Sequence, residues 1–350
     1  MKNKVKGDSG RMTVREEIEE REKKFLSPRA TLSVNSNGRE VWEEPCDIRP
    51  VFQRDRDRIL HCKSFRRMKH KTQVFLSPQG DHYRTRLTHT LEVSQTARTI
   101  AKALCLNEDL TEAIALGHDL GHTPFGHCGE KTLDRKMQES CGLRFRHNEQ
   151  SVRIVELLED DGKGLNLTWE VRDGIRNHQM SGMPATMEGR VVRLSDKIAY
   201  IHHDMDDAIR AHVLAEEDVP MEYREILGMS SHDRLSNMIH DVIANSMDAD
   251  DIQMSPDVER AMKGMRRFMY ENVYINPEAK GEEGKATRML ELLFDHYVKN
   301  TDKLPVQYRR MIAGGEVPER AVCDYIAGMT DQYAVAKFES LYVPKSWQVY

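Results

Sequence analysis

The sequence predicts an all-α protein, and three observations carry that expectation. Five segments repeat apolar residues at intervals of three and four: RDRDRILHCKSFRRM, LTHTLEVSQTARTIAKAL, LTEAIALGHDL, NEQSVRIVELLE and EGRVVRLSDKIAYIHHDM. Alternating runs of the kind that half-buried strands need are few. Glycine and proline stand where helical patterns must stop, as Pro28, Gly121 and Pro124 do.

Taken in order, residues 13–26 (TVREEIEEREKKFL) open with Thr13 and Glu16 in capping-box spacing and read as a short charged helix that Pro28 ends. The next twenty residues, rich in Ser, Asn, Gly and Pro, read as an extended arm ending near Pro50. Residues 1–50 are therefore expected to form an N-terminal helix and arm, and 51–350 one helical body. Within that body LTEAIALGHDL is a helix that Gly121 and Pro124 stop, which puts His118 and Asp119 in its last turn. Val191, Leu194, Ile198, Ile201 and Met205 repeat at 3, 4, 3 and 4 and assign one face of their helix to the core. Asp196, Tyr200 and Asp204 then share a stripe turned away from that core, with Lys197 beside them. The last third, including MRRFMYENVYINPE, MLELLFDHYVKN and ERAVCDYIAGMTDQYAVAKFESL, reads as further helices between Gly or Pro loops.

Bulk composition excludes several classes. Among 350 residues no apolar run reaches transmembrane length, and MKNKVKGDSGR does not begin as a signal peptide, so a cytoplasmic protein is expected. The six cysteines form no CxxC pair, which argues for free thiols over a zinc ribbon or disulfide framework. A net charge of -5 gives no global attraction to nucleic acid or membrane, so an anionic ligand must meet a local cluster.

One such cluster is GHDLGHTPFGH, residues 117–127. A carboxylate at the end of a helix faces the negative pole of its dipole, at a cost of up to about 1 kcal/mol, and a cation would relieve it. Neighbouring His and Asp side chains offer the mixed nitrogen and oxygen donors that Mn, Fe or Zn accept. His89 lies upstream in THTLEV and Asp196 downstream in RLSDKIAY. A site of His89, His118, Asp119 and Asp196 would present two imidazoles and two carboxylates, with room for water or phosphate oxygens.

The order H…HD…D resembles that of the HD-domain phosphohydrolases. RPVFQRDRDRILHCKSFRRMKHKTQVF, DHYRTRLTHTLEV, GHDLGHTPFGHCGE, FRHNEQS and RLSDKIAY together resemble the bacterial dGTP triphosphohydrolase family, whose vertebrate relative is a dNTP-hydrolysing restriction factor. The likeness runs from about residue 13 to DYIAGMTDQYA. It implies an HD helical fold (core about 84–210, further C-terminal helices about 211–350) and an oligomer, hexamer or tetramer. It also implies hydrolysis of a dNTP, dGTP among them, to deoxynucleoside and inorganic triphosphate.

On this resemblance His89, His118, Asp119 and Asp196 match the metal ligands. The cation would be Mn²⁺ or Mg²⁺, with Fe, Ni, Co or Zn also compatible. Attack at the α-phosphorus further needs a manager for the water proton and an acid for the departing oxygen. His127 matches the general acid, with Glu130 one turn later to orient it. His147, with Glu149, matches the residue that positions or deprotonates water; which histidine takes which step stays open. Arg86, His122, Lys197 and Tyr200 match phosphate contacts, Arg266 and Tyr274 phosphate and sugar contacts, and Gln73, Val74 and Asp204 residues around the sugar.

Two alternatives are set beside this reading: another HD activity, such as a 5′-nucleotidase or cyclic-dinucleotide phosphodiesterase, and a nucleotide- or DNA-binding regulator with a vestigial site. The basic run Arg54 to Lys71 would suit an effector nucleotide or single-stranded DNA, or equally a solvated helix face with pairs between i and i+4. His178 is expected to pack, and His202 and His203 to lie at the surface or an interface.

Overall fold

The computed structural model describes residues 12–73, 84–179, 181–274 and 281–345. Among them the regular structure is helical, and its one β element is an isolated bridge between Thr72 and Thr85. The helices are α1 (Val14–Phe25), α2 (Val51–His61), α3 (Lys63–Arg67), α4 (Arg86–Ala103), α5 (Glu108–Gly117), α6 (Gly126–Cys141), α7 (His147–Arg153) and α8 (Trp169–Arg176). They continue as α9 (Met187–Arg210), α10 (Met221–Leu227), α11 (Ser231–Ser246), α12 (Pro256–Met269), α13 (Glu283–Lys299), α14 (Val306–Ala313), α15 (Pro318–Ala327) and α16 (Asp331–Tyr342). No described helix is long and apolar enough to cross a membrane.

Local chemistry sets the helix starts. Thr13 and Glu16 form the capping box of α1; Thr85, Asn107, Thr186 and Thr330 cap α4, α5, α9 and α16 through their side chains. Two readings of helix extent are corrected. RDRDRILHCKSFRRM is two helices, because Cys62 turns extended (ψ 160°) and its sulfur caps Phe65 N–H. α5 stops at Gly117, so His118 is its C-cap and Asp119 lies just beyond the helix, still facing the carbonyl pole.

α5 is the central helix, packed against α2, α4, α8 and α9. Ile114, Leu116, Val191, Ile198 and Ile201 are buried here with the apolar faces of the neighbouring helices. A second cluster, with Leu133, Met137, Leu290, Phe294 and Ile326, lies where α6, α13 and α15 meet. The arm lies against the body: Asp55, buried, pairs with Arg39, and Glu188 accepts from Thr31 N–H at 3.0 Å. All six cysteines are free.

The basic run is neither a bare strip nor a set of i to i+4 pairs. Arg54 and Arg58 pair with Glu43, Arg56 with Asp109 and Glu112, and Lys71 is buried. Lys63, Arg66, Lys69 and His70 stay exposed.

Candidate active site

Three elements bring the four predicted ligands together. His89 comes from the first turn of α4, His118 and Asp119 from the end of α5, and Asp196 from mid-α9. His89 Nε2 stands 3.2 Å from Asp196 Oδ1 and 3.9 Å from Asp119 Oδ2. His118 Nε2 lies 3.5 Å from Asp119 Oδ1 and 3.7 Å from Asp196 Oδ1.

The His118 ring is fixed from behind, where Nδ1–H donates to the Ala115 carbonyl at 2.6 Å. That bond turns Nε2 toward the carboxylates, the arrangement by which metal-binding histidines are usually held. Nε2 is buried without a hydrogen bond among the described residues, and the donor set of two imidazoles and two carboxylates suits a divalent cation. Electrostatics agree. Burial would lower the His118 pKa, but Asp119 and Asp196 outweigh it and raise it to about 9. Against the cost of burial, His122, His118 and Arg86 keep Asp119 well below the usual carboxylate range, and His118 and His89 do the same for Asp196. The cluster thus demands positive charge that a cation would supply.

His89, Asp119 and Asp196 of the cluster line a cavity of about 540 Å³, and His118 is fully buried against the two carboxylates. Arg86, buried, donates to Asp119 Oδ2 at 2.8 Å from beside the ligands. His122 Nε2 is 3.2 Å from Asp119 Oδ1, and its ring stacks on His147 at 3.8 Å. Burial and Arg86 hold His122 well below the ordinary imidazole value. Lys197 is 5% exposed, its Nζ has no hydrogen-bond partner among the described residues, and burial with Arg193 nearby pulls it down to about 7. Gln73, Tyr200, Asp204 and Arg266 also line the cavity. The stripe on α9 therefore faces an internal cavity rather than bulk solvent.

Glu130 is placed differently from the expectation. Its carboxylate accepts from His147 Nδ1–H at 2.9 Å, whereas His127 Nδ1 is 3.7 Å away and the His127 side chain is 56% exposed. The two histidines overcome burial and hold Glu130 well below the carboxylate range. It orients His147 in the first place. Glu149 is exposed and does not line the cavity. Two residues along α7 from His147, it lies about 200° around the helix, so the pairing read from RHNE is corrected. Val74 lies outside the described residues, as does the side chain of Tyr274.

Of the histidines read as packing or surface residues, His178 lines the site and His203 is buried beside it. His178 lines the cavity, with Nε2 3.3 Å from His147 Nε2, and its Nδ1–H donates to the Ile175 carbonyl at 2.7 Å. Burial and the charges of His118 and His147 lower it to about 4. His203 is buried behind His89, Nε2 2.7 Å from Glu92, while His202 is half-buried. Nothing in the spacing of RNHQM signals this placement; α8 ends just before His178 and delivers it.

The turn carrying these groups is tightly built. A Cβ on Gly121 would stand 2.3 Å from the His147 carbonyl oxygen and Ser151 nitrogen, so only glycine lets α7 approach. Ser151 Oγ accepts from Gly121 N–H at 2.8 Å and donates to the His118 carbonyl at 2.7 Å.

Comparison with known proteins agrees with this geometry. Residues 86–201 match the HD domain, and residues 252–340 the phosphohydrolase-associated domain. A deoxyguanosinetriphosphate triphosphohydrolase-like protein of Caldanaerobacter subterraneus subsp. tengcongensis is 58% identical, covering 96% of this chain and 98% of that one. Proteins of the same description from Desulfatibacillum aliphaticivorans and Clostridium perfringens are 49% and 48% identical, each covering 95% of this chain and 99% of the relative. An HD phosphohydrolase uses a divalent metal, and the histidine and aspartate cluster could hold one. On identity that extends over nearly the whole chain, the protein belongs to the deoxyguanosinetriphosphate triphosphohydrolase-like family of HD-domain phosphohydrolases.

Proposed function

We propose that the protein hydrolyses dNTPs, dGTP among them, to deoxynucleoside and inorganic triphosphate by water attack at the α-phosphorus. The observation that carries this reading is one cavity lined by His89, Asp119 and Asp196 together with Arg86, Lys197, Gln73 and Asp204, with the buried His118 against the two carboxylates. A cation at the four ligands, Mn²⁺ or Mg²⁺ on this reading, would polarise the phosphate and acidify water.

The chain's own residues do the rest. Arg86 and Lys197 meet the phosphate oxygens, Arg86 while fixed on Asp119. His122, with Tyr200, gives further phosphate contacts. Gln73, whose Oε1 is buried without a hydrogen bond among the described residues, and Asp204 take the sugar hydroxyl. His147, oriented by Glu130, positions the water or takes its proton, and the exposed His127 reaches the departing oxygen as acid. Arg266 closes the cavity on the α12 side.

The same reading includes a cytoplasmic homo-oligomer, hexamer or tetramer, with the 1–50 arm and the 51–350 body as its two parts. The exposed Lys63, Arg66, Lys69 and His70 are where an effector nucleotide or single-stranded DNA would meet it. The test is product analysis by ion-exchange chromatography, with Mn²⁺ or Mg²⁺ and each dNTP alone and together. Deoxynucleoside with intact triphosphate supports the reading. Monophosphate with pyrophosphate moves it to another HD activity, and metal binding without turnover to a regulator.

A further inference from the structure

We propose that Asp331, the first residue of α16, is a positioning residue for this reaction. Its carboxylate fixes the loop that carries His122 against the segment that carries Gln73 and meets Arg86. The proposal rests on the reading of the cavity as the substrate site.

Asp331 is 8% exposed and belongs to the phosphohydrolase-associated segment, outside the HD segment. Oδ1 accepts from Phe125 N–H at 3.0 Å; Oδ2 accepts from Thr72 N–H at 2.9 Å and from the Thr72 hydroxyl. One carboxylate thus joins the 121–126 loop to residues 71–73. Lys71, also buried, makes a parallel tie: its ammonium donates to the His122 carbonyl and, at 2.8 Å, to the carbonyl of Ala327 at the end of α15. The Lys71 carbonyl in turn accepts from Arg86 N–H at 3.1 Å.

The joint is close and strained where Asp331 holds it. Phe125 is left-handed (φ 61°), a conformation that a non-glycine residue keeps only when its surroundings impose it. Its N–H is the one Asp331 takes. At the next residue, a Cβ on Gly126 would stand 3.2 Å from the Gln73 carbonyl oxygen and 3.4 Å from Arg86 Nη2. A shift of the loop by a fraction of an ångström therefore moves groups facing both ends of the substrate. Asn at 331 keeps the volume but turns an NH₂ toward N–H donors, leaving at least one of them without its acceptor in a largely buried joint.

The test compares wild type with Asp331→Asn and Thr72→Val, the second retaining the carboxylate while removing one donor. Steady-state kinetics with dNTP, bound metal by plasma emission, the thermal midpoint and hydrogen exchange of the 121–130 peptide are read on each. Expected for Asp331→Asn are unchanged metal content, faster exchange in 121–130, and kcat/KM of the folded protein lower by about 10²-fold, the scale of an ångström misplacement. Thr72→Val should show a smaller loss in the same direction. A lower midpoint with kcat, KM and loop exchange all within threefold of wild type would show a purely structural role and overturn the proposal. Wild type that turns over no dNTP would fault the substrate reading instead, and loop exchange would still decide the joint.

Discussion

Glu130 and His147 are joined twice: the same carboxylate oxygen accepts from the ring Nδ1–H and from the backbone N–H of His147, each at 2.9 Å. The carboxylate therefore sets both where α7 begins and how its first imidazole is turned. Glu130→Gln keeps the shape and loses the charge that directs the ring. Its kcat should fall about 10²-fold with metal content unchanged; kinetics beside metal analysis check this.

His127→Ala and His147→Ala should each lower turnover by about 10² to 10⁴, the range for a lost acid or base. Turnover within about threefold of the parent in either variant would remove that histidine from proton transfer.

Asp196→Ala should abolish metal binding and activity together, because His118 and His89 both face its carboxylate. Metal analysis of the purified variant, with a chelator-stripped and reloaded wild type as reference, separates loss of metal from loss of fold.

Gly121→Ala should cost about 1–3 kcal/mol and displace His147, since the added methyl would stand 2.3 Å from backbone atoms of α7. Denaturant melts give the first effect and residual kcat the second.

Glu43 ties the arm to α2, accepting from Arg54 at 2.8 Å and from Arg58 at 2.9 Å. The Arg58 hydrogen bond, against some burial, lowers its pKa from 4.5 to about 2. The folded value lies below the unfolded one, so the stabilisation is complete above pH 4.5 and is lost as pH falls toward 2. The pair is partly exposed, so Glu43→Gln should cost about 1 kcal/mol or less at neutral pH. Denaturation of both proteins at pH 7, 4 and 3 should show the difference shrinking with acid.

How much of this was legible in the sequence depends on whether the signal is local. The Thr13 and Glu16 cap, the apolar face of α9 and the stop after α5 are set by neighbours within a few residues, and periodicity reads them. The quartet from His89 to Asp196 was legible through its motif order rather than through any spacing, since three separate helices deliver it. What spacing misled was partner choice. Glu130 lies one turn from His127 yet takes His147, seventeen residues away, because α7 begins against its carboxylate, which accepts from both the backbone and the ring of His147. His178 and His203 look idle in the sequence, since burial beside a site is a property of packed helices and not of RNHQM or IHHDM. Asp331 is the extreme case, meeting Phe125 across 206 positions.

The stripe on α9 has a metric consequence. Asp196 and Asp204 are eight residues apart on one rigid helix, about 12 Å along its axis, with Tyr200 midway. On the proposed reading one end is graduated for phosphate and the other for sugar, so the helix gauges its ligand. A nucleoside would lie against the sugar mark with the phosphate end unanswered, and free triphosphate would do the reverse. Only a molecule bearing both at the right separation spans the scale, and cleavage between them leaves two fragments that each hold one mark.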